Sequence, residues 1–206
     1  KLLLTKDDKI LYYYKNSNTL KTLDITNPHD VILIPLHTIT DTGVENANFG
    51  ISIENNTSLV LSNDENTILY IKSGRQELQA INVTNQISFN NKWVFSVPDE
   101  DAVSGSRYLL RVVVPNPNNK SVCVVAVQNE NAPINSDAKI YYINMNNGSL
   151  LWSLNIGKTG SSYYIDREPV FSSDGNNLFI GSKTSDGAKF ISINCDTINN
   201  SGITID

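Results

Sequence analysis

The chain has 206 residues, 16 Lys+Arg against 21 Asp+Glu, a formal net charge of −5, and 40% hydrophobic but only 18% charged residues. That balance argues against a strongly basic nucleic-acid binder, and the chain is too apolar and too weakly charged for a disordered one. No apolar run approaches the roughly 20 residues that a membrane helix needs, so neither nucleic acid nor a membrane span is expected among its partners.

The residue mix points to strands. There are 22 Ile, 15 Val and 14 Thr against 7 Ala, 7 Glu and 1 Met; β-branched side chains suit a pleated surface, and the scarce types are good helix formers. The 28 Asn often come in pairs, such as Asn55-Asn56, Asn118-Asn119 and Asn176-Asn177, and Asn marks turns because it tolerates left-handed backbone angles. Asn-x-Ser/Thr sequons occur about as often as this Asn content gives by chance, so they carry no message about secretion. The chain begins at Lys1, and Lys1-Leu2-Leu3-Leu4 is too short for a signal-peptide core; a processed mature chain or a fragment of a longer one is expected.

In chain order, the same hairpin recurs four times: Leu2 to Tyr14, Leu59 to Lys72, Arg111 to Val127 and Pro169 to Ser182. Each is a short apolar run, a tight polar turn and a second apolar run, the pattern of an antiparallel hairpin. Asp sits in three of the turns, and Pro with Asn replaces it in the Arg111 to Val127 copy. A third run follows each hairpin and ends in Asp24, Asn82, Asn144 or Asn194, side chains well placed to bond their own turn backbone. A fourth strand is expected at Val31–Pro35, Lys92–Val97, Leu150–Asn155 and Ile203–Ile205. The Asp/Asn positions lie 58, 62 and 50 residues apart. Four strands per unit at a period of ~50 residues predict the blades of a β-propeller. The blades are 1–36, 57–98, 107–157 and 168–206, in a single all-β domain spanning 1–206 or a partial propeller. They are joined by polar connectors at His37–Asn56, Asp99–Ser106 and Lys158–Arg167.

Tyr142 to Trp152 reads YINMNNGSLLW. It resembles the repeat of PQQ-like (quinoprotein-type) propellers, roughly A-x-D-x-x-T-G-K-x-x-W, with Asn144 in the Asp place, Asn147 in the Thr place, and Gly148 and Trp152 in their own. Gly148 then supplies a left-handed turn residue and Trp152 a flat surface for stacking blades. The second blade matches through Ala80, Asn82 and Trp93; the first and fourth retain only Asp24 and Asn194. Ser172–Gly175 also looks like WD40-like and lactonase-type propellers. PQQ-like propellers have seven or eight blades, so the resemblance implies half of a ring, completed by additional blades or by self-association. A four-bladed propeller is the alternative, although the hemopexin type ties its first and last blades with a disulfide that Cys123 and Cys195, in the third and fourth blades, do not supply.

Catalytic chemistry finds little support in the residues. The two cysteines form no metal spacing and read as buried free thiols. There is no Cys-Cys pair of the quinoprotein kind, and Trp93 and Trp152 occupy a strand position that suits packing, so no cofactor is expected. His29 reads as a solvated turn residue, and His37 opens a connector. Asp7-Asp8 and Asp99-Glu100-Asp101 read as solvated turns, with calcium as a minor reading. No catalytic or metal-binding set is assigned. Propellers usually bind on the face formed by blade connectors and second-to-third-strand loops. That set contains Arg75, Arg107, Tyr163, Tyr164, Asp166, Arg167 and Lys183, with residue types favoured at contacts. The function expected is a non-catalytic module that binds a protein or peptide partner. The alternatives are a fragment of a quinoprotein- or lactonase-like enzyme whose active residues lie outside this chain, and an extracellular structural or adhesin-like repeat protein. Scaffold relatives in the broad family, an outer-membrane assembly lipoprotein and lumenal stress sensors, imply an extracellular, periplasmic or lumenal setting.

Overall fold

The computed structural model describes residues 2–14, 20–27, 32–33, 59–72, 76–84, 90–101, 108–128, 135–160, 169–184 and 187–195, and within them the chain forms four antiparallel sheets. The first holds β1 (Leu2–Leu4), β2 (Ile10–Tyr14), β3 (Leu20–Asp24) and β4 (Ile32–Leu33). The second holds β5 (Leu59–Leu61), β6 (Thr67–Ile71), β7 (Glu77–Asn82) and β8 (Asn90–Ser96). The third holds β9 (Tyr108–Pro115), β10 (Ser121–Gln128), β11 (Asn135–Asn144) and β12 (Leu150–Gly160). The fourth holds β13 (Val170–Phe171), β14 (Asn177–Thr184) and β15 (Gly187–Asn194). Strand order follows chain order in every sheet, the up-and-down meander of a propeller blade. The strand expected at Ile203–Ile205 lies outside the described residues.

Each first hairpin closes on the same device. The carbonyl of Thr5, Ser62, Asn116 or Ser172 accepts from the amide three residues on, in Asp8, Glu65, Asn119 and Gly175, at 2.9–3.0 Å. Those four residues all have positive φ, at 56°, 63°, 59° and 76°. In three blades the opening hydroxyl donates to the Asp two residues later: Thr5 to Asp7 at 2.8 Å, Ser62 to Asp64 at 2.6 Å and Ser172 to Asp174 at 2.6 Å. The same hydroxyls accept from the amides that open the next strand, in Ile10, Thr67 and Asn177. In the third blade Asn116 and Asn118 replace hydroxyl and carboxylate, and the Asn118 amide donates to Asn116 Oδ1 at 3.0 Å. Where the third strands end, the Oδ1 atoms of Asp24, Asn82 and Asn144 accept from the amides of Thr26, Thr84 and Asn146 at 2.8–2.9 Å. This is the turn bond expected of those residues.

Successive side chains of a strand point to opposite faces, and in the inner sheets both faces are apolar. Leu69, Leu78, Trp93 and Phe95 of the second blade pack against Leu110, Val122, Val124, Tyr141 and Ile143 of the third. Cys123, Val125, Ile140, Tyr142 and Trp152, on the other face of the third blade, pack against Leu178, Ile180, Ile191 and Ile193 of the fourth. Ile10 and Tyr12 of the first blade meet Leu59, Ile68, Tyr70 and Ile81 of the second. Each of the two inner sheets is therefore one half of two cores. Trp93 does what its repeat position implies: its indole Nε1 donates to the Met145 carbonyl of the next blade at 2.8 Å. Its ring also fills the space over Gly148, where an added Cβ would lie 2.8 Å from it. Trp152 stacks on Tyr142 at 4.6 Å between centroids, but its Nε1 finds no partner among the described residues.

One boundary and one exposure differ from expectation. Lys158, placed in a connector by its polar surroundings, belongs to β12, which pairs Asp137↔Lys158 and Asn135↔Gly160; a backbone ladder, once registered, runs on through polar residues. Asp101, expected in a solvated turn, is 8% exposed within a short 3-10 turn, Asp99–Asp101.

The turn glycines separate two causes of constraint. Asp8, Glu65 and Asn119 carry side chains at positive φ, yet a Cβ on Gly175 would lie 2.0 Å from Asn116 Oδ1 of the preceding blade. Gly175→Ala and Gly148→Ala are expected to cost more than about 1 kcal/mol each in urea unfolding, whereas Asp8→Gly stays within about 1 kcal/mol of the wild type.

Candidate functional site

A four-strand meander has two ends. The first-to-second and third-to-fourth turns share one end, and the second-to-third loops and blade connectors share the other. At the turn end the first hairpins of successive blades touch. The Lys6 amide donates to Glu65 Oε1, and its Nζ reaches the carbonyl and Oδ1 of Asn63. Asn63 Nδ2 donates to the Pro117 carbonyl at 2.7 Å, and the Asp64 amide to Asn119 Oδ1 at 3.1 Å. Asn116 Nδ2 donates to the Gly175 carbonyl at 2.8 Å. These bonds form a continuous row and commit those groups to the neighbouring hairpins.

Asn116 also ends a buried cluster. Its Nδ2 donates to Tyr142 Oη at 3.0 Å, and Ser121 Oγ lies 2.5 Å from the same oxygen. Burial pushes the Tyr142 phenol well above its ordinary range. Burial does the same to the Cys123 thiol, with Cys195 nearby adding to the shift, so Cys123 is no nucleophile at neutral pH. The two cysteines form no disulfide; Cys123 is buried as expected, and Cys195 is only half-buried.

At the connector end the prominent feature is a charged anchor. Lys139 Nζ lies 2.6 Å from Asp101 Oδ2, and Tyr141 Oη donates to that oxygen at 2.8 Å. The ammonium also stands 5.5 Å from the Tyr108 ring centroid and 5.6 Å from that of Tyr141, within cation–π range. The Asp101 and Lys139 side chains are 10% and 15% exposed. Burial first, and then the bond to Asp101, push the Tyr141 phenol far up, so it remains a hydrogen-bond donor. Asp101 comes from the connector leaving the second blade, whereas Lys139 and Tyr141 lie on β11. The anchor fastens that connector to the third blade.

Of the contact residues expected from the sequence, Arg75, Arg107, Tyr163, Tyr164, Asp166 and Arg167 lie outside the described residues, as do His29 and His37. Lys183 is in β14, paired with Ala188 one step from the end of that hairpin. The anchor was missed by the sequence reading. Its signal was Lys139, a charge in a third strand between Ala138 and Ile140; a charge at such a buried position requires a partner. Among the described residues no three His, Cys, Asp or Glu side chains come together as a metal site.

No family model matches the chain, and no curated protein matches it. Solved structures do. A protein from Lactobacillus plantarum matches with a TM-score of 0.60 at 10% identity, over 100% of this chain and 53% of that one. The Nup133 β-propeller domain of Vanderwaltozyma polyspora matches with a TM-score of 0.55 at 8% identity, over 97% and 62%. The periplasmic gluconolactonase PpgL of Pseudomonas aeruginosa matches with a TM-score of 0.51 at 9% identity, over 93% and 48%. The chain thus spans about half the length of such structures. At these identities the likeness concerns the fold: a β-propeller-like arrangement used by enzymes and by other proteins alike, without assignment to the PQQ-like or WD40-like kind.

Removing the anchor's carboxylate strands a buried ammonium and a phenol. Asp101→Ala is expected to cost about 3–5 kcal/mol, and Tyr141→Phe about 1 kcal/mol, in urea unfolding. The turn carboxylates give a pH dependence. The Ser172 hydroxyl and the Asn176 amide hold Asp174 below its ordinary value of 3.8; the Thr5 hydroxyl does so for Asp7, and Thr26 for Asp24. Burial opposes the shift at Asp64, but the Ser62 hydroxyl and Asn66 outweigh it. Their contribution is present above the ordinary carboxylate pKa and is lost as pH falls through the lowered folded values. Replacing Asp7, Asp64 and Asp174 with Asn, as Asn118 already does in the third blade, should flatten the acid limb of a urea-midpoint against pH curve while keeping the fold.

Proposed function

We propose that the chain is a non-catalytic β-propeller module of the PQQ-like kind that binds a protein or peptide partner through its connector end. The observation that supports this reading is the use of the buried charge at that end. Both Lys139 and Tyr141 are committed to Asp101 Oδ2, so this buried charge serves to fix a connector. A connector fastened at its root loses less conformational freedom when it meets a partner. Tyr163, Tyr164, Asp166 and Arg167, in the following connector, together with Arg75, Arg107 and Lys183, are the contact residues of this proposal. An extracellular, periplasmic or lumenal setting belongs to the same reading, in keeping with the periplasmic gluconolactonase among the similar folds.

The test is selection of a phage-displayed peptide library on the immobilised chain. Tyr163→Ala combined with Arg167→Ala should weaken the selected peptides by at least about tenfold with an unchanged melting temperature. A lowered melting temperature would make these residues packing elements instead. Turnover of gluconolactone, or a quinone absorbance change on adding quinone and calcium, would replace the binding reading with an enzymatic one.

A further inference from the structure

The two end faces of the blade row carry apolar side chains at several of the positions that are buried at the inner junctions. In the second blade, Val60, Leu69 and Leu78 point toward the third blade, and Leu69 and Leu78 are fully buried there. The same repeat positions in the fourth blade are Val170, Phe179 and Phe190. Val170 is 60% exposed and Phe190 65%, and the Phe179 and Phe190 rings stack on each other at 5.8 Å. At the opposite end, Leu59 and Ile68 of the second blade point back toward the first and are 1% and 0% exposed. Their counterparts in the first blade are Leu2, which is 66% exposed, and Leu11; Leu4, the counterpart of Leu61, is 46% exposed.

Every inner junction joins a forward face, such as that of Leu69, to a backward face, such as that of Ile68. Among the described residues, one face of each kind has no sheet packed on it. We propose that these faces belong to each other across two copies of the chain. The fourth blade of one copy packs on the first blade of the second copy, and the reciprocal junction closes a two-fold ring of eight blades. The inner junctions supply the argument for this occupant: they show which surface covers each face, and this chain carries both. A two-fold arrangement satisfies both ends at once and leaves no apolar sheet face in water.

Light scattering on the 206-residue chain at tens of micromolar should give about twice the 22.8 kDa of one chain. Phe190→Asp, and separately Leu2→Asp with Leu4→Asp, charge one face each and should give monomers. Because these positions are exposed, the monomers should keep the wild-type far-ultraviolet spectrum. In each variant alone both junctions carry a charged face. A mixture of the two variants allows one junction with both faces unaltered, so the dimer mass should return in part. A monomeric wild type would overturn the proposal and give the faces to further blades or another protein. A dimer indifferent to these substitutions, a mixture that stays monomeric, or open chains of rising mass would also overturn it.

Discussion

The structure depends on one constraint: the inner sheets are apolar on both faces. A sheet with one apolar face can settle on a single partner layer, but a sheet with two must be sandwiched. The alternation is strict enough to be followed residue by residue. Ile68 and Leu69 are neighbours in β6, and they belong to different cores. Tyr141 and Tyr142 divide in the same way on β11. Burying such a side chain is worth roughly 1.5–3 kcal/mol relative to leaving it in water, and the central strands β6 and β11 contribute to two neighbours at once. Stacking thus follows directly from strand periodicity.

Polar chemistry then sets the spacing. At the turn end, hydroxyl–carboxylate pairs shape each hairpin, and the row from Lys6 through Asn63 and Asn116 to the Gly175 carbonyl fixes one hairpin against the next. At the connector end, the Asp101–Lys139–Tyr141 group does the corresponding work with a full charge. Among the described residues the two ends therefore differ in kind: a web of neutral and surface bonds at one, and a buried ion pair at the other. A buried pair makes little net contribution while intact, but it is expensive to break. It suits a position where a connector must not be placed wrongly.

The blade pattern was legible because it rests on local rules. Short apolar runs, a polar turn that carries Asp between the first two of them, and an Asp or Asn at the end of each third strand can all be read without knowing what packs on what. Gly148 and Trp93 were legible for the same reason: a repeat position implies a role. The anchor was not legible from its acidic end, because Asp99-Glu100-Asp101 looks like any solvated run and its partner lies 38 residues away on another blade. Nor could the sequence show that Gly175 answers to Asn116 of the preceding blade. Such constraints arise only when two distant turns are brought side by side.

The four hairpin turns hold nearly the same backbone angle with Asp8, Glu65, Asn119 and Gly175. What is inherited at that position is a shape, imposed by the surrounding hydrogen bonds, and the residue is free to drift except where a neighbour crowds it. The same freedom runs through the strands, where any aliphatic or aromatic side chain of suitable size can fill a face. A fold specified in this way erases its own sequence record. Structures superimpose at 8–10% identity while no family model matches, because geometry of this kind asks little of the letters that carry it.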